Sequence, residues 1–467
     1  MLVPINITGG TYKLKSLSLA AQTTRNFWPV KPDNAKSKSP YVLETFHGLK
    51  LFAENAIGVD RGMFEHLGIV YKVTGNNLYR VDSAGTHVQL GIINGTGRCI
   101  FTGIGTSIVI VANGVVYVWS GTGLTTVTDS DLESPNGCAH INNQIIYDGN
   151  NGRFCTSDVG DAKAINGLNY ATAESNADDL LRAYVFNQYV YMMGDKTIEP
   201  WWNSGTGSPP FDRVEGGIMQ IGLAALHSPA HNDKYMYFLG DDSQVYAVQG
   251  TTPQVVSDDA LSREISRYAT ISDAIGSSFT LNGTPIYGLT FPTQDKTFLY
   301  PEGGEWFEWS YGADGGRSLA NSYCFAFRKH LFADYRNGNI YELDEDTYTD
   351  NSGPIIRTRD TAPIHGGLIN RPGKTLTMNS FELILEAGVG LITGQGSAPV
   401  VMLSFSDDGG KTFSNEMWAT VGKMGDFMWK CAWFALGSFE SRIIRVRTSD
   451  PVHYSIHSAS SEIEVGI

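Results

Sequence analysis

Short runs of alternating apolar and polar residues, broken by glycine and asparagine, recur along most of this chain. Residues 68–81 read as a strand, a turn at Gly75-Asn76-Asn77 and a second strand. Residues 106–119 repeat the pattern around Asn113-Gly114, the dipeptide that most strongly favours a two-residue hairpin turn. Further units follow at 139–147, 184–192 and 234–248, at 296–300 with 306–309, and from 323–327 to 337–343. Successive units lie about 35 to 50 residues apart, the length of a four-stranded propeller blade. The spacing predicts a β-propeller of six or seven blades; two stacked sandwiches are the bland alternative.

The pattern changes after the acidic hairpin 344–350 and the linker 357–363. Residues 381–386, 400–405, 431–434 and 443–447 read as longer strands joined by wide loops, as in a sandwich. The first residues hold Pro29, Pro32, Pro40 and a lysine-rich stretch, and read as an extended arm or a strand borrowed by the last blade. The expected division is an N-terminal arm over 1–48, a β-propeller over 49–363 and a β-sandwich-like assembly domain over 364–467. The fold class is all-β.

Composition agrees. In 467 residues there are 52 Gly, 22 Tyr, 22 Phe and 9 Trp with only 18% charged residues, and no long helical periodicity competes. Cys99, Cys138, Cys155, Cys324 and Cys431 are odd in number and never in a C-x-x-C spacing, which suggests reduced thiols rather than a disulfide framework or a zinc site. No charged-then-apolar leader opens the sequence and no window reaches the ~18 apolar residues of a membrane span, so a soluble chain without a secretion signal is expected. The formal charge of −14 speaks against gripping nucleic acid through its phosphates, yet suits a conduit past which DNA slides.

Candidate chemistry is thin. Ser406, Asp408, Gly410, Thr412 and Phe413 have the spacing of the Asp box of sialidases and related propeller hydrolases, a turn in which a carboxylate and a hydroxyl bond the local backbone. The box is a folding device remote from chemistry. His227 and His231 have the i, i+4 spacing of a zinc helix, but Pro229 stands between them and the catalytic glutamate is absent. His453 and His457 would share a strand face without a third ligand. Asp344, Asp346 and Asp350 alternate like calcium ligands but lack the EF-hand glycine and glutamate, so a solvated acidic turn is the preferred reading. Gly121 to Gly123 and Gly394 to Gly396 read as loop glycines with no phosphate-binding helix behind them. No catalytic, cofactor-binding or metal residue is assigned, and no cofactor is expected.

One resemblance spans nearly the whole chain. Ser18 to Pro29, ending in Arg25-Asn26-Phe27-Trp28-Pro29, is followed by Glu44-Thr45-Phe46-His47-Gly48-Leu49. Then come Gly152 to Asp161, Ala173 to Asp178, Lys196 to Trp201, Asn203 to Gly205 and Pro210-Phe211. Ser406 to Phe413, Trp418, Gly422, Gly425, Trp433, Leu436-Gly437 and Arg445 to Pro451 complete the order. This series resembles the packaged-DNA stabilization proteins, the tail hub or nozzle family of short-tailed bacteriophages (podoviruses). His47 replaces the family's usual proline, and Ala435, Ser438, Phe439 and Glu440 stand where the family is more basic.

The resemblance implies a structural virion protein and not an enzyme. It would form a homo-oligomeric, hexameric ring below the portal and adaptor, extend the DNA channel, retain packaged DNA and present surfaces to tail fibre, spike or plug proteins. DNA would pass without sequence-specific binding, and the protein would be made and assembled in the host cytoplasm before residing in the virion tail. Trp28, Trp201, Trp202, Trp306, Trp309, Trp418 and Trp433 are the candidate interface anchors, against the ordinary reading as core tryptophans. Trp201 and Trp202, adjacent on a strand, should face opposite ways. The competing functions are a sialidase-like propeller glycoside hydrolase and a depolymerising tail spike, the latter without the β-helix repeat it usually carries.

Overall fold

Asn113 and Gly114 both take positive φ, 50° and 76°, as a two-residue turn with the right-handed strand twist requires. The turn joins Ser107–Ala112 to Val115–Trp119, pairing Ala112 with Val115. Asn142 and Asn143, at φ 50° and 60°, do the same between Gly137–Ile141 and Gln144–Asp148. These hairpins belong to a computed structural model that describes residues 1–16, 19–32, 41–54, 56–149, 152–173 and 179–466. Ser18, Pro40, the lysines at 36 and 38, and residues 174–178 of the family-like series lie outside the described residues.

The chain divides into two compact units. One comprises Leu51–Asp295 with Leu319–Leu343; the other comprises Met1–Lys50, Lys296–Ser318 and Asp344–Ile467.

The first of these is a propeller. Six four-stranded antiparallel sheets and the hairpin of Ile275–Leu281 with Thr284–Phe291 supply seven blades, which settles the six-or-seven expectation. Their innermost strands are Asp60–His66, Cys99–Ile104, Gly137–Ile141, Leu180–Phe186, Ala230–His231, Ile275–Leu281 and Ala320–Ala326. The last inner strand returns beside the first, closing the ring. Gly48–Ala53 is the outermost strand of the last blade, lying next to Ile340–Asp344, so residues from before the first blade complete the final one.

Alternation along each strand decides which neighbouring blade it packs on. Ile108, Ile110 and Ala112 join Tyr71, Val73 and Leu78 of the preceding blade, whereas Val109 and Val111 join Ile145 and Tyr147 of the following one. At about 1.5–3 kcal/mol for each fully buried aliphatic side chain, these interblade layers dominate the unit's stability. The one α-helix among the described residues is Asp259–Ile265, capped by the Asp258 carboxylate, which accepts from the Leu261 N–H at 2.7 Å.

The other unit is a sandwich. One sheet orders Phe27–Val30, Val42–Thr45, Ser455–Val465, Leu376–Leu385 and Cys431–Phe439, with Leu2–Ile5 also paired to Ser455–Val465. The facing sheet includes Ala21–Arg25, Arg357–Asp360, Ser441–Thr448, Val400–Ser406 and Met417–Thr420 in that order. Between them lie Phe27, Leu43, Met378, Phe381, Leu403, Ile444 and Val446, all buried. Strands from residues 1–48 therefore share sheets and core with strands from 364–467.

The Arg25 to Pro29 run is explained by this packing. Asn26 sits at φ 56°, where asparagine is tolerated better than most residues. Its amide Nδ2 donates to Ser310 O at 3.0 Å and Ile356 O at 2.9 Å, while Oδ1 accepts from the Ser310 N–H at 2.8 Å. Phe27 and Trp28 are buried, and Trp28 meets Phe46, which also packs edge-on against Phe307 and Trp309. Gly48 is required by close approach, since a Cβ there would strike the carbonyls of Thr347 and Thr349. Asn26→Ala is expected to cost about 2–4 kcal/mol, from orphaned buried groups and a strained left-handed residue, read as a lower denaturant midpoint.

A second tie holds the C-terminal strand. Glu44 accepts from Ser455 Oγ at 2.8 Å and faces His453 Nε2 at 2.8 Å. The Glu44 hydrogen bond raises the His453 pKa above 6.5 despite burial. Burial pushes Glu44 upward, but the His453 and Ser455 hydrogen bonds and the His453 charge prevail and hold it below 4.5. The raised histidine contributes stability present below 6.5 and lost as pH rises through its folded pKa. The lowered glutamate contributes stability present above 4.5 and lost as pH falls. The destabilisation caused by His453→Gln, followed by calorimetry, should therefore be largest near about pH 5.5 and shrink by about pH 8.

Candidate assembly surface and axial pocket

The sandwich ends in two open edges. Met417–Thr420 pairs with Val400–Ser406 and ends its sheet, and Cys431–Phe439 pairs with Leu376–Leu385 and ends the other. The two edges lie beside each other, tied by Trp433 Nε1 donating to Met417 O at 2.8 Å. Trp433 is buried; its strand neighbour Phe434 is 72% exposed, and Trp418 on the opposite edge is 68% exposed.

The loop 421–430 that joins the edges extends this apolar surface. Phe427 is 74% and Met428 94% exposed, values far from those of core residues. Their position is fixed by local bonds: the Asp426 carboxylate accepts from the Lys423 N–H at 3.0 Å, and the Trp429 N–H donates to Asp426 O at 3.2 Å. Trp429 Nε1 donates to Thr420 O at 2.9 Å, and Gly422 and Gly425, at φ 90° and 93°, allow the tight path. A loop held in this way presents its apolar tip with little ordering entropy left to lose on binding.

The Asp-box-like turn braces the same domain. The Asp408 carboxylate accepts from Ser406 Oγ at 2.7 Å, from the Lys411 and Thr412 N–H groups at 2.9 and 3.0 Å, and from Thr412 Oγ1 at 2.6 Å. These bonds, the Thr412 hydroxyl first, hold its pKa well below the usual carboxylate range. The neighbouring Asp407 faces the other way and pairs with Arg442 through two contacts of 2.7 Å. Arg442 is buried with its guanidinium over Phe405 and Phe439, at 3.9 and 4.3 Å. Arg445 stacks on Phe413 at 3.5 Å and pairs with Asp360 at 2.7 Å.

In the propeller unit, the inner strands of several blades line an axial pocket of about 350 Å³. Arg98, Arg182, His227, His231 and Tyr184 stand on its wall, and none of its lining residues is a carboxylate. Arg182 donates Nη1 to Leu226 O at 2.7 Å and lies over the Tyr184 ring at 5.0 Å. Tyr184 Oη is 2.7 Å from His231 Nδ1. Burial, reinforced by the charges of Arg98 and Arg182, drives the His227 pKa well below 6.5 and keeps the ring neutral.

The remaining sequence candidates find other places. Trp28, Trp201, Trp306, Trp309 and Trp433 are buried, while Trp202 and Trp418 are exposed; Trp201 and Trp202 do face opposite ways. Trp429, Phe427, Met428 and Phe434 are not singled out by the sequence, because large apolar residues in a segment without periodicity read equally well as core. His227 and His231 flank Pro229 in extended chain and not on a helix, and no group of three potential metal ligands occurs among the described residues. His453 precedes the strand on which His457 lies and bonds Glu44 instead of sharing a ligand face. The solvated acidic turn holds for Asp344 and Asp346 but not for Asp350, which is buried, accepts from the Leu49 N–H at 3.0 Å and has its pKa pushed up by burial to about 7. The five cysteines are free, and burial pushes the Cys99 thiol up to about 11 and Cys431 up to about 12, away from the thiolate form.

The family-like residues of the propeller are likewise packing groups. Phe154, Trp201 and Phe211 share one core, with Phe154 edge-on to Trp201 at 5.3 Å, and Glu199 pairs with Arg213 at 2.9 Å.

Comparisons with known proteins agree with this architecture. Residues 1–348 match the family described as bacteriophage P22 Gp10, beta-propeller, and residues 364–464 match bacteriophage P22 Gp10, beta-sandwich. No curated protein sequence matches the chain. Among solved structures, a streptogramin B lyase is 12% identical with a TM-score of 0.45, covering 64% of this chain and 98% of its own. BamB from Moraxella catarrhalis is 9% identical with a TM-score of 0.39, covering 74% of this chain and 97% of its own. The computationally designed Ika8 protein is 13% identical with a TM-score of 0.40, covering 69% and 99%. At these TM-scores none of the three bears on function. With its propeller and its sandwich both matched, the chain belongs to the bacteriophage P22 Gp10 family, structural proteins of the phage tail linked to stabilisation of packaged DNA.

Proposed function

We propose that this protein is the hub or nozzle of the tail: copies of the chain close into a six-fold ring below the portal and adaptor, extend the DNA channel and retain the packaged genome. Fibres, spikes or a plug attach to its outer surfaces. In this reading Leu51–Asp295 with Leu319–Leu343 act as the propeller, while 364–467, sharing sheets with strands from 1–48 and joined by 296–318 and 344–363, acts as the assembly domain. Synthesis and assembly take place in the host cytoplasm.

The observation that carries the proposal is the exposed edge formed by Trp418, Phe427, Met428 and Phe434. An apolar surface held in place by its own loop bonds is suited to burial against a second copy, and aromatic and methionine anchors are enriched at such interfaces. The formal charge of −14 suits a wall that DNA passes without adhering.

The hydrolase reading fares poorly. Glycoside hydrolysis usually needs a pair of carboxylates across the scissile bond, and the axial pocket is lined by none. The Asp408 turn uses all its bonding capacity on its own backbone and hydroxyls. A complementation assay tests the proposal: particles assembled without this protein should lose their DNA to nuclease, and purified protein added before release should restore protection. Unchanged leakage after addition, with turnover of a sugar substrate by the same preparation, would overturn it.

A further inference from the structure

The axial pocket collects positive charge in an acidic protein. Two guanidinium groups supply it: Arg98 immediately precedes the inner strand of the second blade and Arg182 lies on that of the fourth, with the neutral His227 beside them in the segment that leads into the fifth. Arg182 uses Nη1 on Leu226 O at 2.7 Å, while its Nε is buried without a hydrogen-bond partner among the described residues. A buried, unsatisfied guanidinium N–H is costly to keep unless something binds it.

Two carboxylates stand behind the wall and do not line it. Asp60 accepts from Ser322 Oγ at 2.7 Å and Asn321 Nδ2 at 3.0 Å. Asp148, whose charge reaches Arg182, accepts from the N–H groups of Gly137 and Ala183 and is itself pushed up by burial to about 6. The pocket face is thus left with cations, hydroxyls and rings.

Its size and rings define the rest of the ligand. About 350 Å³ is far more than one phosphate ion fills, and Phe64 and Phe101, stacked at 6.1 Å, form an apolar part of the wall. Ser277 and Ser278 add hydroxyl donors. We propose that the propeller axis is a binding site for a small organic oxyanion, a phosphate or carboxylate carried on a ring-sized apolar body. Arg98 and Arg182 hold the oxyanion, as guanidinium groups do through charge-assisted hydrogen bonds, and the phenylalanines cover the body.

Titration calorimetry on the full chain with phenyl phosphate, benzoate, inorganic phosphate and phenol tests this. Phenyl phosphate, benzoate or both should bind, inorganic phosphate at least tenfold more weakly than phenyl phosphate, and phenol undetectably; which of the two ring anions binds identifies the oxyanion. Arg182→Met should weaken the bound ring anion at least tenfold, and Arg98→Met provides the same readout should the first variant fail to fold. Phenol binding as well as phenyl phosphate, wild-type affinity in the arginine variants, inorganic phosphate binding as well as phenyl phosphate, or no ring anion bound at millimolar concentration would each overturn the assignment.

Discussion

Phe427→Asp combined with Met428→Asp is expected to abolish incorporation into tails while leaving the folded chain intact. Both side chains are more than two-thirds exposed, at 74% and 94%, so the monomer loses almost no buried area and its stability should move by no more than about 0.5 kcal/mol. At an interface the same residues act as anchors worth about 2 kcal/mol each, so losing both weakens each contact roughly a thousandfold. The new carboxylates add a desolvation cost. The check is the yield of particles that contain the variant, alongside its melting curve. Normal incorporation would mean that this edge is not an interface. Deleting 364–467 is a poorer test, because Ser455–Val465 pairs with Val42–Thr45 and with Leu2–Ile5, so the deletion would strip strands of the first 48 residues of their partners.

Glu308→Gln should give a large loss of stability. Its carboxylate, 3% exposed, faces Lys13 Nζ at 3.3 Å, Arg25 Nη2 at 2.9 Å and Lys296 Nζ at 3.4 Å. Burial alone would raise its pKa, but the three cations hold it far below the usual carboxylate range. Removing the negative charge leaves three like charges around a neutral amide. Breaking a buried pair costs about 3–5 kcal/mol, and the partial exposure of the cations points to the lower end, about 3 kcal/mol. In a unit of this size that is a fall in melting temperature of roughly 6–12 °C. An unchanged melting temperature would show that the cluster contributes nothing net.

The fold was legible where local chemistry and tertiary structure agree. Asn113-Gly114 can hardly do anything but turn, and the unbroken apolar run from Ile108 to Ala112 states directly that both faces of the strand are covered. The interleaving of 1–48 with the C-terminal strands was not legible, because Phe27 and Leu43 carry no mark of partners some 400 residues away, and short proline-containing strands look like an arm. The Asp box was read correctly as a brace through Asp408, yet Asp407 turned outward to Arg442, a choice that depends on a strand 35 residues later.

The candidate surfaces were harder. Trp418 was named among seven tryptophans, but nothing in the sequence separates it from Trp433, which differs only in facing inward. Phe427 and Met428 lie between glycines in a segment without periodicity, so exposure could not be inferred. The axial cluster draws Arg98, Arg182 and His227 from separate blades, and only closure of the ring brings them to one wall. Arg25, Asn26, Trp201 and Arg445, four of the family-like residues, are packing and bonding groups of the fold, so they identify a lineage without disclosing a chemistry.

Electron microscopy of purified protein and of virions shows whether identical copies close around the DNA path. A closed six-fold ring with an axial opening is expected, placed below the portal, with the Phe427 edge buried between neighbouring subunits. A monomer in solution together with virions in which this protein occupies no ring on the tail axis would contradict it.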